Sequence, residues 1–480
     1  MSNLKIDLLI DNQDVPGARY AEVRDPGRFA DVVGTVAQAD AALVDQAVQA
    51  AHRAYPGWAA TPLEARAERV LAVADLLESI VDELALIVVS ETGMLPAEIR
   101  MEIGGAAFAM RDNVDAARAF LQGKRVEDAT SWVTIEKKPV GVIAGFVPWN
   151  APIVLMIRKL APALVCGNTI VIKSPPTAPL GIGLLLKRVA ALFPPGVINV
   201  LHGGNDVGQA LVEHPLVRRI SFTGGGKAAT AIMKTAAETI KNVQFELGGN
   251  DPAIVLDDMD LDKQMPNLVA GTFHRSGQFC FAVKRIYVPE SIYDAFCDRL
   301  AAELSKVRVG HPNDPRTTFG PVNNEVQYRY VKELVARARQ SKAEVIELGE
   351  AVDPASWEQG YYLKPVLVKR PDPNQEIVSC EQFGPVVPVI PYKTEDEAVA
   401  MANDSEYGLG SSIWTTSFER GVALARRIES GMTFINKNAQ SRLGRRHMPF
   451  GGVKQSGIGT ENSEFGLADY VEYHAINLHK

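Results

Sequence analysis

The sequence predicts an α/β fold: two doubly wound, Rossmann-like parallel-sheet domains with a small β oligomerisation arm. Three observations carry it. From residue 140 short apolar runs alternate with helical segments, the pattern of parallel strands buried on both faces and joined by helical crossovers. The same grammar resumes near Asp251 and continues to about Gln455. Outside both stretches, residues 132–136 and 470–476 alternate or mix apolar and polar side chains, as half-exposed strands do.

In chain order, residues 1–40 read as short strands and turns, with a bend at Asp25-Pro26-Gly27. Residues 41–55 repeat apolar side chains at helical spacing. Thr61-Pro62-Leu63-Glu64 reads as a capping box with proline at the first helical position, opening a helix to about Ser90; another runs from Pro96 to about Leu121. Then come strand 140–147, helix 152–165, strand 169–173, helix 180–193, strand 197–201, strand 219–222, a helix after Gly226 and a strand ending at Phe245. The implied division is a dinucleotide-binding domain (1–121 and 140–250), a second domain holding Cys280 (251–455) and the arm (122–139 and 456–480). The two arm ribbons are expected to pair, and their free edges invite a second subunit.

A chain of 480 residues exceeds one core, and 46% hydrophobic with 22% charged residues is ordinary for a soluble globular protein. The formal charge of -7 argues against nucleic acid or an anionic membrane as partner. No apolar run approaches bilayer-spanning length, and the N-terminal residues show no apolar run followed by a small-residue cleavage site, so no secretory leader is expected. The four cysteines, Cys166, Cys280, Cys297 and Cys380, have the spacing of neither a disulfide framework nor a metal site. A cytoplasmic setting and no metal are expected.

Chemistry concentrates at Glu246-Leu247-Gly248-Gly249 and Gly277-Gln278-Phe279-Cys280, which set a carboxylate thirty-four positions before a thiol. Oxidising an aldehyde to an acid needs such a pair. A thiolate adds to the carbonyl to form a hemithioacetal that expels hydride, and a carboxylate activates the water that cleaves the thioester left behind. Alone, a cysteine between two phenylalanines reads as an inert buried thiol, and a Glu before Gly-Gly as a loop charge. Together with Pro148-Trp149-Asn150, Phe222-Thr223-Gly224, Glu381-Gln382-Phe383-Gly384-Pro385 and Pro449-Phe450-Gly451-Gly452, they resemble the aldehyde dehydrogenase superfamily over nearly the whole chain. The resemblance is to its hydrolytic, non-CoA-acylating branch. It implies NAD(P)-dependent oxidation of an aldehyde to a carboxylic acid by a homodimer or tetramer. Cys280 is the implied nucleophile, Glu246 the base, Asn150 an oxyanion donor beside the Cys280 N–H, Lys159 a proton relay, and Glu461 a second acid near the water path.

The same resemblance implies cofactor contacts at Val147, Pro148 and Trp149, at Lys173, Ser174 and Pro176, at Phe222, Thr223, Gly224, Gly225 and Lys227, and at Leu247, Glu381 and Phe383. The glycine run lets a pyrophosphate approach backbone N–H groups at a helix start, although it is neither a Gly-x-Gly-x-x-Gly fingerprint nor a Walker loop. Members preferring NAD commonly carry Glu where this chain has Pro176. Proline accepts no ribose hydrogen bond and repels no 2′-phosphate, so the expected cofactor is NAD or NADP. The family's substrate-tunnel positions fall on Ala151, Val154, Met156, Arg158, His274, Phe279, Phe281 and Leu443. Most are apolar, while Arg158 and His274, with Arg445 and Arg446 nearby, suit a polar or carboxylate-bearing aldehyde. The nearest alternative is a CoA-acylating semialdehyde dehydrogenase, which Glu246 disfavours because that branch typically lacks the base. A non-catalytic structural protein of the same fold is disfavoured by the intact Cys280, Glu246 and Asn150.

Overall fold

The structure, a computed structural model, describes residues 4–17 and 19–480. Met1, Ser2 and Asn3, part of the stretch read for a leader, lie outside the described residues. The first sheet has eight strands in the order Gly457–Ile458, Asn242–Glu246, Val217–Thr223, Val142–Phe146, Thr169–Lys173, Ile198–Leu201, Leu8–Ile10 and Gln13–Val15. The strands from Asn242–Glu246 to Ile198–Leu201 are all parallel. Their apolar side chains alternate between two cores. Ile143, Ile170, Ile172 and Ile198 enter one, and Val142, Ala144, Val171 and Leu201 the other. This explains why the strands read as continuous apolar runs rather than as a half-exposed alternation.

The second sheet has the order Glu344–Glu347, Val366–Lys369, Val386–Tyr392, Val283–Pro289, Asp251–Val255, Gly410–Trp414 and Met432–Ile435. It too is parallel apart from its first strand, and it splits its side chains between two cores. A separate sheet holds Val471–His479, Ser131–Pro139 and Lys124–Glu127. Here the two ribbons read from sequence pair antiparallel, with His474 opposite Glu136.

The structure departs from the sequence reading in four places. The first sheet is mixed, because Leu8–Ile10 pairs antiparallel with Ile198–Leu201, and Gly457–Ile458 antiparallel with Asn242–Glu246. Strands of two or three residues are too short to show a period. The segment expected to run from Thr61 to Ser90 is two helices, Leu63–Ser79 and Val81–Thr92, separated at Ile80. Leu77 and Leu84, both fully buried, keep heptad spacing across the break, so periodicity carried no sign of it. No capping box forms, for the Thr61 hydroxyl donates to the Gly57 carbonyl at 3.0 Å. Finally, the crossover before Val217–Thr223 contains a helix, Asn205–Glu213, that the reading passed over.

Chain order reverses at Val142–Phe146. The chain moves outward through Thr169–Lys173 and Ile198–Leu201, then crosses back to lay Val217–Thr223 on the other side. Such a switch point opens a crevice at the carboxyl ends of the strands. Among the described residues no helix is long and apolar enough to cross a membrane. Buried Asn168 fastens this sheet to the C-terminal ribbon: its Oδ1 accepts from the Gly141 N–H at 2.9 Å and its Nδ2 donates to the Tyr470 carbonyl at 2.8 Å. Asn168→Leu strands both groups without water, so urea unfolding should show a loss of about 3 kcal/mol, at roughly 1–3 kcal/mol for each unpaired group.

Candidate active site

The two signature motifs meet where the sheets face each other. Glu246 ends a strand of the first sheet, and Asp251 begins one of the second only five residues later. Cys280 lies just before Val283–Pro289, whose first residue is in register with Asp251. The intervening glycines are a packing requirement. A Cβ on Gly249 would stand 2.8 Å from the Cys280 carbonyl oxygen, and one on Gly248 would collide with the Glu381 carboxylate. Side chains here would push the loops apart.

Cys280 opens onto a cavity of about 580 Å³, also lined by Asn150, Ala151, Val154, Arg158, His274, Phe279 and Phe281. Six of the eight tunnel positions expected from sequence are therefore on its wall. Met156 and Leu443 are not. Met156 is fully buried in the core, because residues 154, 155 and 158 occupy the cavity face of helix Pro152–Val165 and 156 points away. Leu443 is 72% exposed on the short helix Arg442–His447, and that segment faces the cavity with Gln440 and Arg445 instead.

Asn150 is held by contacts that local sequence does not reveal. Its carbonyl accepts from Arg275 at 2.7 Å, Arg275 pairs with Glu102 at 2.7 Å, and Glu102 accepts from the Ile153 and Val154 N–H groups at 2.7 and 3.1 Å. Glu102 thus supplies the negative charge that the start of helix Pro152–Val165 favours. The Asn150 Nδ2 donates to the Gln278 carbonyl at 3.1 Å, which turns the amide toward the Cys280 loop.

Glu246 is buried, with its Oε1 3.4 Å from the Gln244 amide nitrogen. Its pKa is raised well above the usual carboxylate value, first by burial and then by the charge of Glu461; Lys159, Arg158 and the Gln244 hydrogen bond oppose the shift. Lys159 is fully buried and bonded to Glu461 at 3.1 Å, Thr223 at 2.7 Å and Ser221 at 3.3 Å. Its direct acidic partner is thus Glu461, while its charge still acts on Glu246. Burial also pushes the Cys280 thiol up to about 12, with Lys284 opposing and Glu246, Glu381 and Asp251 adding to the shift.

The residues expected to hold a dinucleotide share one edge. Pro148-Trp149, Lys173-Ser174, Thr223-Gly224 and Glu246-Leu247 all follow or end parallel strands at their carboxyl ends, in register. Several of their side chains are engaged inward: Phe222 packs between Phe146 and Phe245, Val147 lies in the core, Thr223 takes Lys159, and the Ser174 hydroxyl shares a 2.6 Å hydrogen bond with buried His202. These positions meet a ligand through backbone or not at all. Lys173 is pushed down to about 8 by burial, with Asp206 opposing, and Pro176 is exposed.

An anionic dinucleotide fits this edge. Gly225 caps helix Gly226–Ala237, there is no acid in that helix's first turn, and the space beside Gly225 and Gly226 is open. Lys227 follows, exposed. Further along, Trp149 meets Phe383 edge-on at 5.5 Å, and Glu381 accepts from the Gly249 N–H at 3.1 Å beside the Cys280 loop. The sequence reading missed Lys284, Glu102 and Arg275. A lysine and an arginine inside the otherwise apolar strand 283–289 were a signal available for the first; the other two form their pair across 173 positions.

Two doubly wound sheets meeting at a cavity that contains a cysteine have the architecture of a nucleotide-dependent oxidoreductase. The sequence profile of the aldehyde dehydrogenase family matches residues 14–476, and the chain belongs to that family. It is 35% identical over 437 residues, 91% of each chain, to the aldehyde dehydrogenase LUC3 of Fusarium sp. It is 33% identical over 476 residues, 97% of this chain and 96% of the other, to the NADP(+) succinate-semialdehyde dehydrogenase GabD of Escherichia coli K12. The solved betaine aldehyde dehydrogenase of Staphylococcus aureus in complex with NAD+ superposes with a TM-score of 0.94 at 30% identity, covering 98% of this chain and 94% of that one.

Proposed function

We propose that this enzyme oxidises an aldehyde to a carboxylic acid with NAD+ or NADP+, through a thioester on Cys280 that water hydrolyses under base catalysis by Glu246. The observation that carries the reading is the placement of Cys280 and Asn150 on one cavity wall, with Glu246 buried nearby and its charge among those that raise the thiol's pKa. Burial favours the protonated thiol, so its proton leaves to solvent in the cavity as sulfur attacks; the Glu246 carboxylate, whose pKa is raised by burial and by Glu461, is matched to the later task of taking a proton from water. As sulfur bonds to the carbonyl carbon, the oxygen gains charge and is held by the Asn150 amide and the Cys280 N–H. The nicotinamide, when bound, supplies the hydride acceptor. Glu246 then removes a proton from water as its oxygen attacks the thioester carbon, and the C–S bond breaks to release the acid and a thiolate, which takes up a proton from solvent. Lys159 and Glu461 form the buried charge pair behind Glu246 and would pass its proton onward.

Trp149, Glu381 and Phe383 would hold the nicotinamide end, and Gly225 with Lys227 the pyrophosphate. The choice between NAD and NADP turns on Lys173, Pro176 and Asp206. An anionic aldehyde suits the cavity, where Arg158 lies 4.4 Å above the Phe450 ring and 3.8 Å from Glu461, and Arg445 stands at the same wall. The similarity to a succinate-semialdehyde dehydrogenase supports that class. Self-association would use the free edge of Val471–His479, which exposes Tyr473 and Leu478.

Glu246→Gln should release about one equivalent of reduced nucleotide per active site in a burst, read at 340 nm, and then stall; Cys280→Ala should give no burst while still binding nucleotide. Steady turnover by Glu246→Gln would remove that residue from hydrolysis. The pH dependence follows from the direction of its shift. A base works ionised, so turnover falls as pH drops through the raised Glu246 pKa. Glu461→Gln removes one cause of the rise and frees Lys159 to favour the anion, so the acid limb of kcat should move to lower pH. Arg158→Leu should lower kcat/KM for a semialdehyde bearing a carboxylate by about tenfold or more relative to that for a neutral aldehyde, at roughly 1.4 kcal/mol per factor of ten; unchanged selectivity would dismiss the anionic class.

A further inference from the structure

We propose that Lys284 is a positioning residue for the nucleophile: its buried ammonium clamps the Cys280 loop by two main-chain carbonyls and ties that loop to Glu381, so that a single cation serves both the thiol and the carboxylate expected at the cofactor's ribose. The inference rests on reading Cys280 as the nucleophile. Lys284 is the second residue of Val283–Pro289, a strand buried along its whole length. Its side chain is 3% exposed, an environment lysine almost never occupies unpaired.

The ammonium donates to the Phe279 carbonyl at 3.1 Å and to the Cys280 carbonyl, and it forms an ion pair with Glu381 Oε1 at 3.1 Å. The same Glu381 oxygen accepts from the Gly249 N–H at 3.1 Å, which closes a link from the first signature motif to the second. An apolar side chain would fill this strand position without the cost of desolvating a charge. What the lysine adds is a fixed pair of carbonyls and a positive charge beside the sulfur.

The charge is needed locally. The groups acting on the thiol from the surrounding elements are Glu246 at the end of the first sheet, Glu381 on the loop before Val386–Tyr392, Asp251 on the neighbouring strand, and Lys284. The three acids and burial all disfavour the thiolate, and Lys284 opposes them. Because Glu381 compensates part of the Lys284 charge, the thiol also senses the state of Glu381. Neutralising Glu381 removes one nearby negative charge and leaves the ammonium less compensated, and both effects favour the thiolate.

The test is site-resolved alkylation of the nucleotide-free, full-length protein by iodoacetamide across a pH series, following each cysteine peptide by mass spectrometry. Lys284→Met should slow modification of Cys280 at pH 9 about tenfold or more and move its profile to higher pH, one pH unit being a factor of ten. Lys284→Arg should restore most of the rate, and Glu381→Gln should raise it above wild type. Cys166 and Cys297, both buried, report folding in the same digest and should stay unmodified. If Lys284→Met exposes them, the other two variants decide. A wild-type Cys280 profile in folded Lys284→Met, a profile in Lys284→Arg no faster than in Lys284→Met, or no acceleration in Glu381→Gln overturns the proposal. No aldehyde or turnover is involved. A failure of the dehydrogenase reading would appear separately, as wild-type protein that reduces neither nucleotide with any aldehyde.

Discussion

The constraint on which the site depends is the approach of the Gly248-Gly249 turn to the loops carrying Cys280 and Glu381. There the carboxyl edge of one parallel sheet is brought against the amino edge of another, and the absence of two side chains lets backbone reach backbone. Everything chemical follows from that proximity. Parallel strands place their useful loops at the carboxyl edge, where the order reversal at Val142–Phe146 opens a crevice. The second sheet contributes its amino edge, which brings Cys280, Glu381 and Phe383 to the same place.

Such an approach buries charge, and the structure balances it in linked sets. Glu102 and Arg275 hold the turn bearing Asn150. Lys159 and Glu461 form a pair behind Glu246. Lys284 and Glu381 pair beside the sulfur. The last two pairs each stand behind a group that faces the reacting centre with an altered proton affinity. Glu246 is driven up by burial and by Glu461, and Cys280 by burial and its acidic neighbours. Two groups that both resist ionisation in the resting site suit a reaction that must first make a thiolate and later make a hydroxide equivalent, without leaving either exposed between turnovers.

Much of the frame was legible in the residues. Helix Pro152–Val165 and strand Thr169–Lys173 lie where the alternation of apolar runs and helical segments puts them, and Ser131–Pro139 pairs with Val471–His479 across more than three hundred positions. The losses have physical causes. Leu8–Ile10 and Gly457–Ile458 are too short to carry a period, and the break at Ile80 falls between leucines that keep their spacing. In the site, carrying positions over by resemblance assigned Met156 to the wrong face of its helix and Leu443 to a helix that turns it outward. The partners of Asn150 and Lys159 are remote in sequence, so only three-dimensional packing reveals them.

The central claim is that one sulfur carries the acyl group between oxidation and hydrolysis. It is tested most directly by acid-quenching Glu246→Gln after mixing with aldehyde and nucleotide, then weighing the peptide that contains Cys280. The account predicts that this peptide gains the acyl mass in step with nucleotide reduction and holds it, while the peptides of Cys166, Cys297 and Cys380 gain nothing. Nucleotide reduced to the same extent with the Cys280 peptide unmodified would contradict it.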